Sequence, residues 1–128
     1  MTAPRITRLP APVYPGISDS VRVSAGDLLF LSGVVGLDED GTPPAEFTRA
    51  VEIAYTRLRG ALERAGAGYA ELVRVNVYIT GLDEDRLRLW RATRDRFIGP
   101  GDLPASTLIG VDSLVGGAEI EIDAVAAV

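Results

Sequence analysis

The segment between residues 72 and 80 constrains the fold more than any other part of this chain of 128 residues. Apolar residues alternate there with polar or aromatic ones: Val73, Val75, Val77 and Ile79 against Arg74, Asn76, Tyr78 and Thr80. Successive side chains of a strand point to opposite faces, so this alternation predicts a strand with one buried face. A second layer must cover that face, and helices are a common solution.

Two segments with helical periodicity flank this strand and can supply the second layer. Over residues 45–65, apolar residues recur at steps of three and four, which predicts a long amphipathic helix that ends at Gly66. A second helix is predicted to begin at Asp83 as its N-cap and to end near Gly99. Its acidic residues come first and its arginines later, which suits the helix dipole.

The remaining strands are shorter, and their order sets the fold class. Residues 21–23 and 28–32 are predicted to pair as a hairpin, and residues 105–111 and 119–128 form two further strands. The proline-rich residues 1–18 are predicted to be an extended N-terminal arm. The order β-β-α-β-α-β-β indicates an α/β protein, in which one sheet carries both helices on one face.

The opposite face of this sheet is predicted to need a cover from outside the chain. A single domain of residues 1–128 suffices for two layers but leaves no residues for a third. Several strand positions on that face are apolar or uncharged. We therefore expect further copies of the chain to cover it in a homo-oligomer.

The composition restricts the chemistry that the chain can perform. There is no Cys, His or Lys, and all 13 basic residues are Arg. This excludes a thiolate nucleophile, a Ser–His triad, a Cys-ligated zinc site and a lysine Schiff base. An active site must therefore work with carboxylates, hydroxyls, arginines, backbone amides and water.

The charge balance limits the partners of the chain. The formal net charge is −5, which disfavours binding to a nucleic-acid backbone. The N-terminus lacks the apolar core of a secretory signal, and no apolar run approaches the ~18 residues of a membrane span. We expect a cytoplasmic protein that binds neither nucleic acid nor membrane.

Four segments carry a more specific pattern. They are GDLLFLSGVVGLDEDG at 26–41, ELVRVNVYITGLDE at 71–84, LPASTLIGVDSL at 103–114 and AEIEIDAVAA at 118–127. Their sequences, order and spacing resemble the reactive intermediate deaminase family, also called the Rid or YjgF family, over residues 13–127. The resemblance implies a chorismate-mutase-like fold and a homotrimer, whose three sheets form a central barrel with ligand clefts between subunits. It also implies hydrolysis of reactive enamines or imines, such as 2-aminoacrylate, with no metal and no organic cofactor.

The resemblance also assigns candidate catalytic residues. The family's glutamate on the last strand corresponds to Glu121, which we expect to transfer protons, helped by the like charges of Glu119 and Asp123 at i±2. The family's arginine for the substrate carboxylate is replaced by Ser106, two residues after Pro104. A serine offers one neutral donor where a guanidinium makes two charged hydrogen bonds, so the predicted substrate differs from 2-aminoacrylate unless Arg22 or Arg74 reaches into the site.

Further residues are candidates for substrate binding. The Ser32-Gly33 backbone element of the family's cleft is retained. The family's tyrosine corresponds to Ile17, with Tyr14 in reach of the same space, and an asparagine on the second helix corresponds to Trp90. The replacements predict a more apolar and aromatic pocket.

Each candidate also has a structural alternative. Ser106 and Thr107 either orient a water or an oxyanion or only satisfy neighbouring backbone groups. Trp90 either lines the pocket or packs in the core, and Tyr14 either reaches the ligand or packs over a neighbour. Glu121 itself either transfers protons or belongs to a solvated acidic strand.

Two hypotheses about function follow. The first is a cofactor-free hydrolase, deaminase or tautomerase that acts on an imine, enamine or related reactive small molecule in a cleft between subunits. The alternative is a non-catalytic trimer that binds a metabolite or a partner protein, because the family's arginine and tyrosine are both replaced. Ribonuclease activity, attached to some members under older family names, is disfavoured by the acidic charge and the lack of His.

Overall fold

A computed structural model describes residues 5–128 of the chain. Two short 3₁₀ turns, Tyr69–Glu71 and Val115–Gly117, precede the fourth and the sixth strand. The main elements are β1 (Ile6–Pro10), β2 (Ser18–Val23), β3 (Leu28–Val35), α1 (Phe47–Arg64), β4 (Leu72–Thr80), α2 (Glu84–Phe97), β5 (Ala105–Val111) and β6 (Ile120–Ala127).

All six strands form one sheet in the order β1-β2-β5-β4-β6-β3. β5 runs parallel to β2 and β4, whereas β6 is antiparallel to both β4 and β3. Both helices pack on one face of this sheet, over the apolar half of β4 and β6. The predicted fold class, one sheet with two helices on one face, is confirmed.

The core between helices and sheet follows the predicted periodicities. The apolar stripe of α1 is buried, and its fully buried members are Ala50, Val51, Ala54, Leu58 and Leu62. Opposite them lie the buried strand residues Val75, Val77, Ile79, Ile120 and Ile122. α2 begins as predicted, with Asp83 Oδ1 accepting from the backbone N–H of Arg86 at 2.8 Å.

The N-terminal arm is more ordered than the sequence predicts. Its first four residues lie outside the described part of the chain, but Ile6–Pro10 form β1, antiparallel to β2. The guanidinium of Arg8 fixes β1 by donating to the carbonyl oxygens of Leu72 and Ala70, each at 2.8 Å, and of Leu103 at 3.0 Å. Three long-range hydrogen bonds from one side chain are not visible in a local sequence pattern.

The predicted hairpin of residues 21–23 and 28–32 is wrong. β2 pairs with β1 and β5, whereas β3 pairs with β6 at the other side of the sheet. The chain end competes with the hairpin, since Asp27 and Val128 exchange two backbone hydrogen bonds of 2.7 and 2.9 Å. These bonds align β3 with β6 instead of with β2.

None of the helices within residues 5–128 is both long enough and apolar enough to cross a membrane.

Candidate functional site

The face of the sheet that the helices leave uncovered carries most of the polar strand residues. We call it the open face. The strand registers place on it Leu28, Phe30, Arg74, Asn76, Tyr78, Thr107, Ile109, Glu121, Asp123 and Val125. It therefore combines ionisable groups with apolar side chains that stay exposed in a single copy.

Glu121 occupies a cradle in the backbone of β3. The register between β3 and β6 shifts between Leu31 and Val34, so Ser32 and Gly33 form a bulge. A Cβ atom at residue 33 would overlap the Glu121 carboxylate, which shows that the carboxylate lies directly over the glycine backbone. The structure thus brings together Glu121 and the Ser32-Gly33 element, as the resemblance implies.

A row of polar side chains runs across the open face beside Glu121. Asp123 accepts from Asn76 Nδ2 at 2.9 Å and from the Tyr78 hydroxyl at 3.0 Å, so both of its carboxylate oxygens are engaged. Arg74 Nη2 donates to Thr107 Oγ1 at 2.9 Å and to Asn76 Oδ1 at 3.3 Å. These five residues, which we call the polar network, link β5, β4 and β6.

Tyr78 keeps its proton over a wider pH range than an ordinary tyrosine. The hydrogen bond to Asp123 raises the pKa of Tyr78, and partial burial and the negative charges of Asp123 and Glu121 add to the effect. The phenol is therefore neutral at physiological pH, and its hydrogen is directed at Asp123.

One of the two carboxylates that flank Glu121 in the sequence is paired with an arginine. Glu119 forms an ion pair with Arg86, which also donates to the carbonyl oxygen of Thr80 at 2.7 Å. The guanidinium of Arg86 in turn lies over the ring of Phe47. Glu119 is thus neutralised at the end of the sheet, which leaves the like charge of Asp123 on the other side of Glu121.

Two of the predicted site residues lie on β5, on different faces of the sheet. Ser106 pairs in register with Val75 and therefore belongs to the helix side of the sheet, opposite to Glu121. Thr107 is on the open face, but its hydroxyl accepts from Arg74, with β4 between it and Glu121.

The other predicted residues are also separated from Glu121 within one chain. The segment before β2 contains Ile17, which is partly buried, and Tyr14, which is 61% exposed. The first residue of β2 pairs with the first residue of β5. Trp90 is 4% exposed and donates its indole N–H to the Tyr55 hydroxyl at 3.1 Å. The guanidinium of Arg94 covers the Trp90 ring at 4.7 Å from its centroid. In one copy Trp90 is a core residue.

The sequence predictions named Arg74 as a possible substitute for the family's arginine but missed Tyr78 and Asn76 as parts of the site. Their signal was present, because they form the polar half of the alternation in residues 72–80. The sequence did not show that β6 pairs with β4. It therefore did not show that Tyr78 lies opposite Glu121.

A groove of about 680 Å³ lies elsewhere, between α1 and the loop after β3. It is lined by the acidic residues 38–40 and by Arg49 and Arg57. Arg57 donates to the carbonyl oxygen of Val35 at 3.0 Å, and Asp40 accepts from the Thr42 hydroxyl at 2.7 Å. Glu121 does not line this groove, and two of the charged groups that do, Arg57 and Asp40, form hydrogen bonds with the end of β3 and the loop after it. We therefore place the candidate site on the open face. Within residues 5–128, no three carboxylates are grouped closely enough to hold a metal ion.

Comparison with known proteins identifies the family. Residues 14–128 match the sequence profile of the family described as Endoribonuclease L-PSP. The chain belongs to this family. It is the Rid or YjgF family that the sequence motifs predict, and the match covers nearly the whole chain.

Individual relatives of the L-PSP family agree with this assignment. The chain is 33% identical over 97 residues to the RutC family protein YjgH of Escherichia coli (strain K12), which covers 76% of this chain and 73% of that protein. It is 27% identical over 129 residues to a 2-iminobutanoate/2-iminopropanoate deaminase of Dermatophagoides farinae, with 98% and 97% coverage. The crystal structure of the Rid family protein YyfB of Yersinia pestis, described as of unknown function, has a TM-score of 0.84 at 26% identity and covers 99% of this chain and 100% of that one. The predicted chorismate-mutase-like fold is thereby confirmed.

Proposed function

We propose that this member of the L-PSP family is a cofactor-free enzyme that hydrolyses or tautomerises an imine, an enamine or a related reactive small molecule. Glu121 is the proposed acid–base residue. The observation that carries the proposal is the partly exposed Glu121 carboxylate, cradled over Gly33 on the open face of the sheet. The similarity to a protein named as an imine deaminase supports the reaction class.

The proposed chemistry needs only a carboxylate and water. Glu121 takes a proton from the water that adds to the carbon of the C=N bond, and this proton passes to the nitrogen. The adduct is a carbinolamine. Glu121 carries the proton of its new hydroxyl group to the nitrogen as the C–N bond breaks, which releases ammonia and leaves a carbonyl product. In a tautomerase the same carboxylate moves a proton between carbon and nitrogen. Because Ser106 and Thr107 lie apart from Glu121 within one chain, they are proposed to help orient the water from a neighbouring copy.

The proposed substrate differs from 2-aminoacrylate. Ser106 stands where deaminating members hold a carboxylate with an arginine. Arg74 of the open face is already engaged with Thr107 and Asn76. A substrate carboxylate would therefore meet Glu121 and Asp123 without a guanidinium committed to it, so we propose a substrate without a carboxylate.

We further propose a cytoplasmic homotrimer in which three sheets form a central barrel. Leu28, Phe30 and Ile109 are 49%, 78% and 46% exposed on the open face of one copy. Covering them removes apolar surface from water, which stabilises an assembly by ~25 cal/mol per Å². The proposed ligand cleft then lies between Glu121 of one copy and the Ser106 region of the next, with Ile17 and Tyr14 beside it and Trp90 beneath.

The alternative function is a trimer that binds a metabolite or a partner without converting it. The observation that favours it is the replacement of the family's arginine and tyrosine by Ser106 and Ile17. Ribonuclease activity is not proposed, because the net charge of −5 and the two carboxylates of the open face would repel a phosphate backbone.

An ammonia-release assay separates the two functions. Freshly generated imines and enamines, with and without a carboxylate, are offered to protein whose mass in solution has been measured. We expect release from carboxylate-free substrates and a loss of about a hundredfold or more in Glu121→Gln. Glu63→Gln, an exposed carboxylate on α1, is the matched control and should keep full activity.

Two other results would contradict parts of the proposal. Release mainly from carboxylate-bearing substrates would mean that another residue replaces the family's arginine. No release from any substrate, by a folded trimer, would favour the binding protein over the enzyme.

A further inference from the structure

Tyr78 lies directly opposite Glu121 on the neighbouring strand of the open face. Side chains of directly opposite residues start about 4.5–5.5 Å apart at their Cβ atoms, which puts the phenol and the carboxylate side by side. The Tyr78 hydroxyl donates to Asp123 Oδ2 at 3.0 Å, while Asn76 holds Oδ1 at 2.9 Å. Because its single hydrogen is committed to Asp123, the Tyr78 oxygen is available to a ligand as an acceptor and not as a donor.

The resulting pair of acceptors selects a ligand by charge and by hydrogen bonding. Glu121 and the Tyr78 oxygen both accept, and Asp123 adds a second negative charge behind the tyrosine. Arg74 is held on the far side of Asp123 by Thr107 and Asn76. A positively charged group with N–H donors satisfies both acceptors, whereas a carboxylate is repelled by the site.

We infer that Tyr78 determines specificity in this site: together with Glu121 it binds the nitrogen of a protonated imine or an amine, and the site takes a cation without a carboxylate. This inference rests on the proposed site at Glu121, but it concerns binding and not turnover. Water attacks a protonated C=N bond more readily than a neutral one. Two acceptors at the nitrogen would keep the reactive protonated form bound next to Glu121.

Binding of stable analogues tests the inference without any reaction. The probes are pyrrolidinium and benzylammonium as cations, cyclopentanone and benzyl alcohol as neutral analogues, and proline as the carboxylate-bearing analogue of pyrrolidinium. Ligand-observed NMR titration of the assembled protein gives each dissociation constant. We expect at least one cation to bind about tenfold tighter than its neutral analogue, and pyrrolidinium to bind tighter than proline. Equal binding of cations and neutral analogues, or binding of neither, overturns the inference.

The variant Tyr78→Phe isolates the hydroxyl because it keeps the ring. The preference for the cation over its neutral analogue is expected to fall about tenfold, since one hydrogen bond to a charged group is lost. Asp123→Asn removes a negative charge and weakens the hydrogen bond that engages the Tyr78 hydrogen. The preference for the cation over its neutral analogue should therefore fall in this variant too. Tyr69→Phe is the matched control, because its hydroxyl donates to the Tyr55 carbonyl oxygen at 2.6 Å and lies outside the open face.

The readouts separate a role in specificity from a role in structure. Solution mass and unfolding midpoint are measured for every variant. If Tyr78→Phe lowers the mass or the stability but leaves the cation preference unchanged, Tyr78 is a structural residue and the inference is wrong. If Tyr78→Phe removes the preference while the wild type releases no ammonia from any imine, the inference holds and the proposed enzyme does not. If the wild type does release ammonia and Tyr78→Phe has an unchanged KM and an unchanged cation preference, only the proposed function survives.

Discussion

The two faces of the sheet use the same strands for different purposes. On the helix side, β4 and β6 present Val75, Val77, Ile79, Ile120 and Ile122, all 3% exposed or less. On the open face the same two strands present the polar network and Glu121. Because a strand sends successive side chains to opposite sides, one segment can hold the fold together and carry the chemistry.

The two faces also differ in the hydrogen bonding and exposure of their polar groups. On the helix side, buried polar groups bond to each other; for example, the Trp90 indole donates to the buried Tyr55 hydroxyl. On the open face Tyr78 and Asp123 bond to each other, yet the Tyr78 oxygen can still accept a hydrogen bond and Glu121 is partly exposed. Changes on the helix side should therefore cost stability, and changes on the open face should cost activity or assembly.

The largest effect is expected on the helix side, from Leu58→Ala. Leu58 is fully buried in α1, so the variant loses burial and leaves a cavity, and the free energy of unfolding should fall by about 2–5 kcal/mol. Urea denaturation measures this loss. Leu9→Ala, at a leucine that is 58% exposed on β1, is the control and should change stability by roughly 0.5 kcal/mol or less. A similar loss in both variants would mean that the two regions do not differ as described.

Phe30→Ser tests the open face as a contact between copies. Phe30 is 78% exposed in one chain, so a hydrophilic residue there should leave the single copy folded and weaken the assembly. We expect the mass from light scattering to fall from trimer towards monomer, with a loss of about 2 kcal/mol or more per contact. Val115→Ser changes an equally exposed apolar residue outside the open face and should stay trimeric. A trimeric Phe30→Ser variant would contradict the proposed interface.

Gly33→Ala tests the cradle of Glu121 without changing the glutamate itself. The added Cβ would overlap the carboxylate and move it, so the activity should fall roughly a hundredfold, close to the effect of Glu121→Gln. Gly101→Ala is the control, because a Cβ there meets no atom within 4 Å. Full activity of Gly33→Ala in the ammonia-release assay would show that the position of Glu121 over the bulge does not matter.

A smaller loss of stability is expected at alkaline pH, and it arises from two tyrosines on the helix side. Burial raises the pKa of Tyr55 well above its usual value and that of Tyr69 to about 12. Both phenols ionise near pH 10 in the unfolded chain, so the unfolded state loses its protons first as the pH rises. Their contribution to stability is complete below about pH 10 and should decline between about pH 10 and 12.

The unfolding midpoint measured from pH 8 to 12 checks this decline. Tyr69→Phe removes one of the two phenols, so its unfolding midpoint should depend less on pH. Tyr14→Phe changes an exposed ring and should show the same dependence on pH as the wild type. An alkaline slope that is the same in all three proteins would exclude Tyr69 as a source of the pH dependence.

Most of the fold could be predicted because its signals are local. The alternation in β4, the apolar stripe of α1 and the Asp83 cap each need only a few neighbouring residues, and all three are confirmed. The failures concern pairing between distant segments: β1 was missed, and β2 was joined to β3. Strand pairing is a competition among all strands, and here the bonds between Asp27 and Val128 help to decide it.

The candidate site was predictable in part for the same reason. The motif resemblance gave Glu121 and the Ser32-Gly33 element, which the structure brings together. The resemblance could not identify Tyr78, because Tyr78 lies opposite Glu121 only in the register that β4 and β6 adopt. A slip by one residue would turn every side chain of a strand to the other face.

The sequence by itself determined the family, the two helices and the strands of the central sheet, and a chemistry without Cys, His or Lys. These properties depend on composition, on short periodicities and on motifs within single segments. The tertiary structure alone decided that Glu121 lies over the glycine of a bulge, that Asp123 holds the tyrosine hydrogen, and that Ser106 belongs to the opposite face. Each of these depends on the register between strands far apart in the chain, which is fixed only when all the strands pack together.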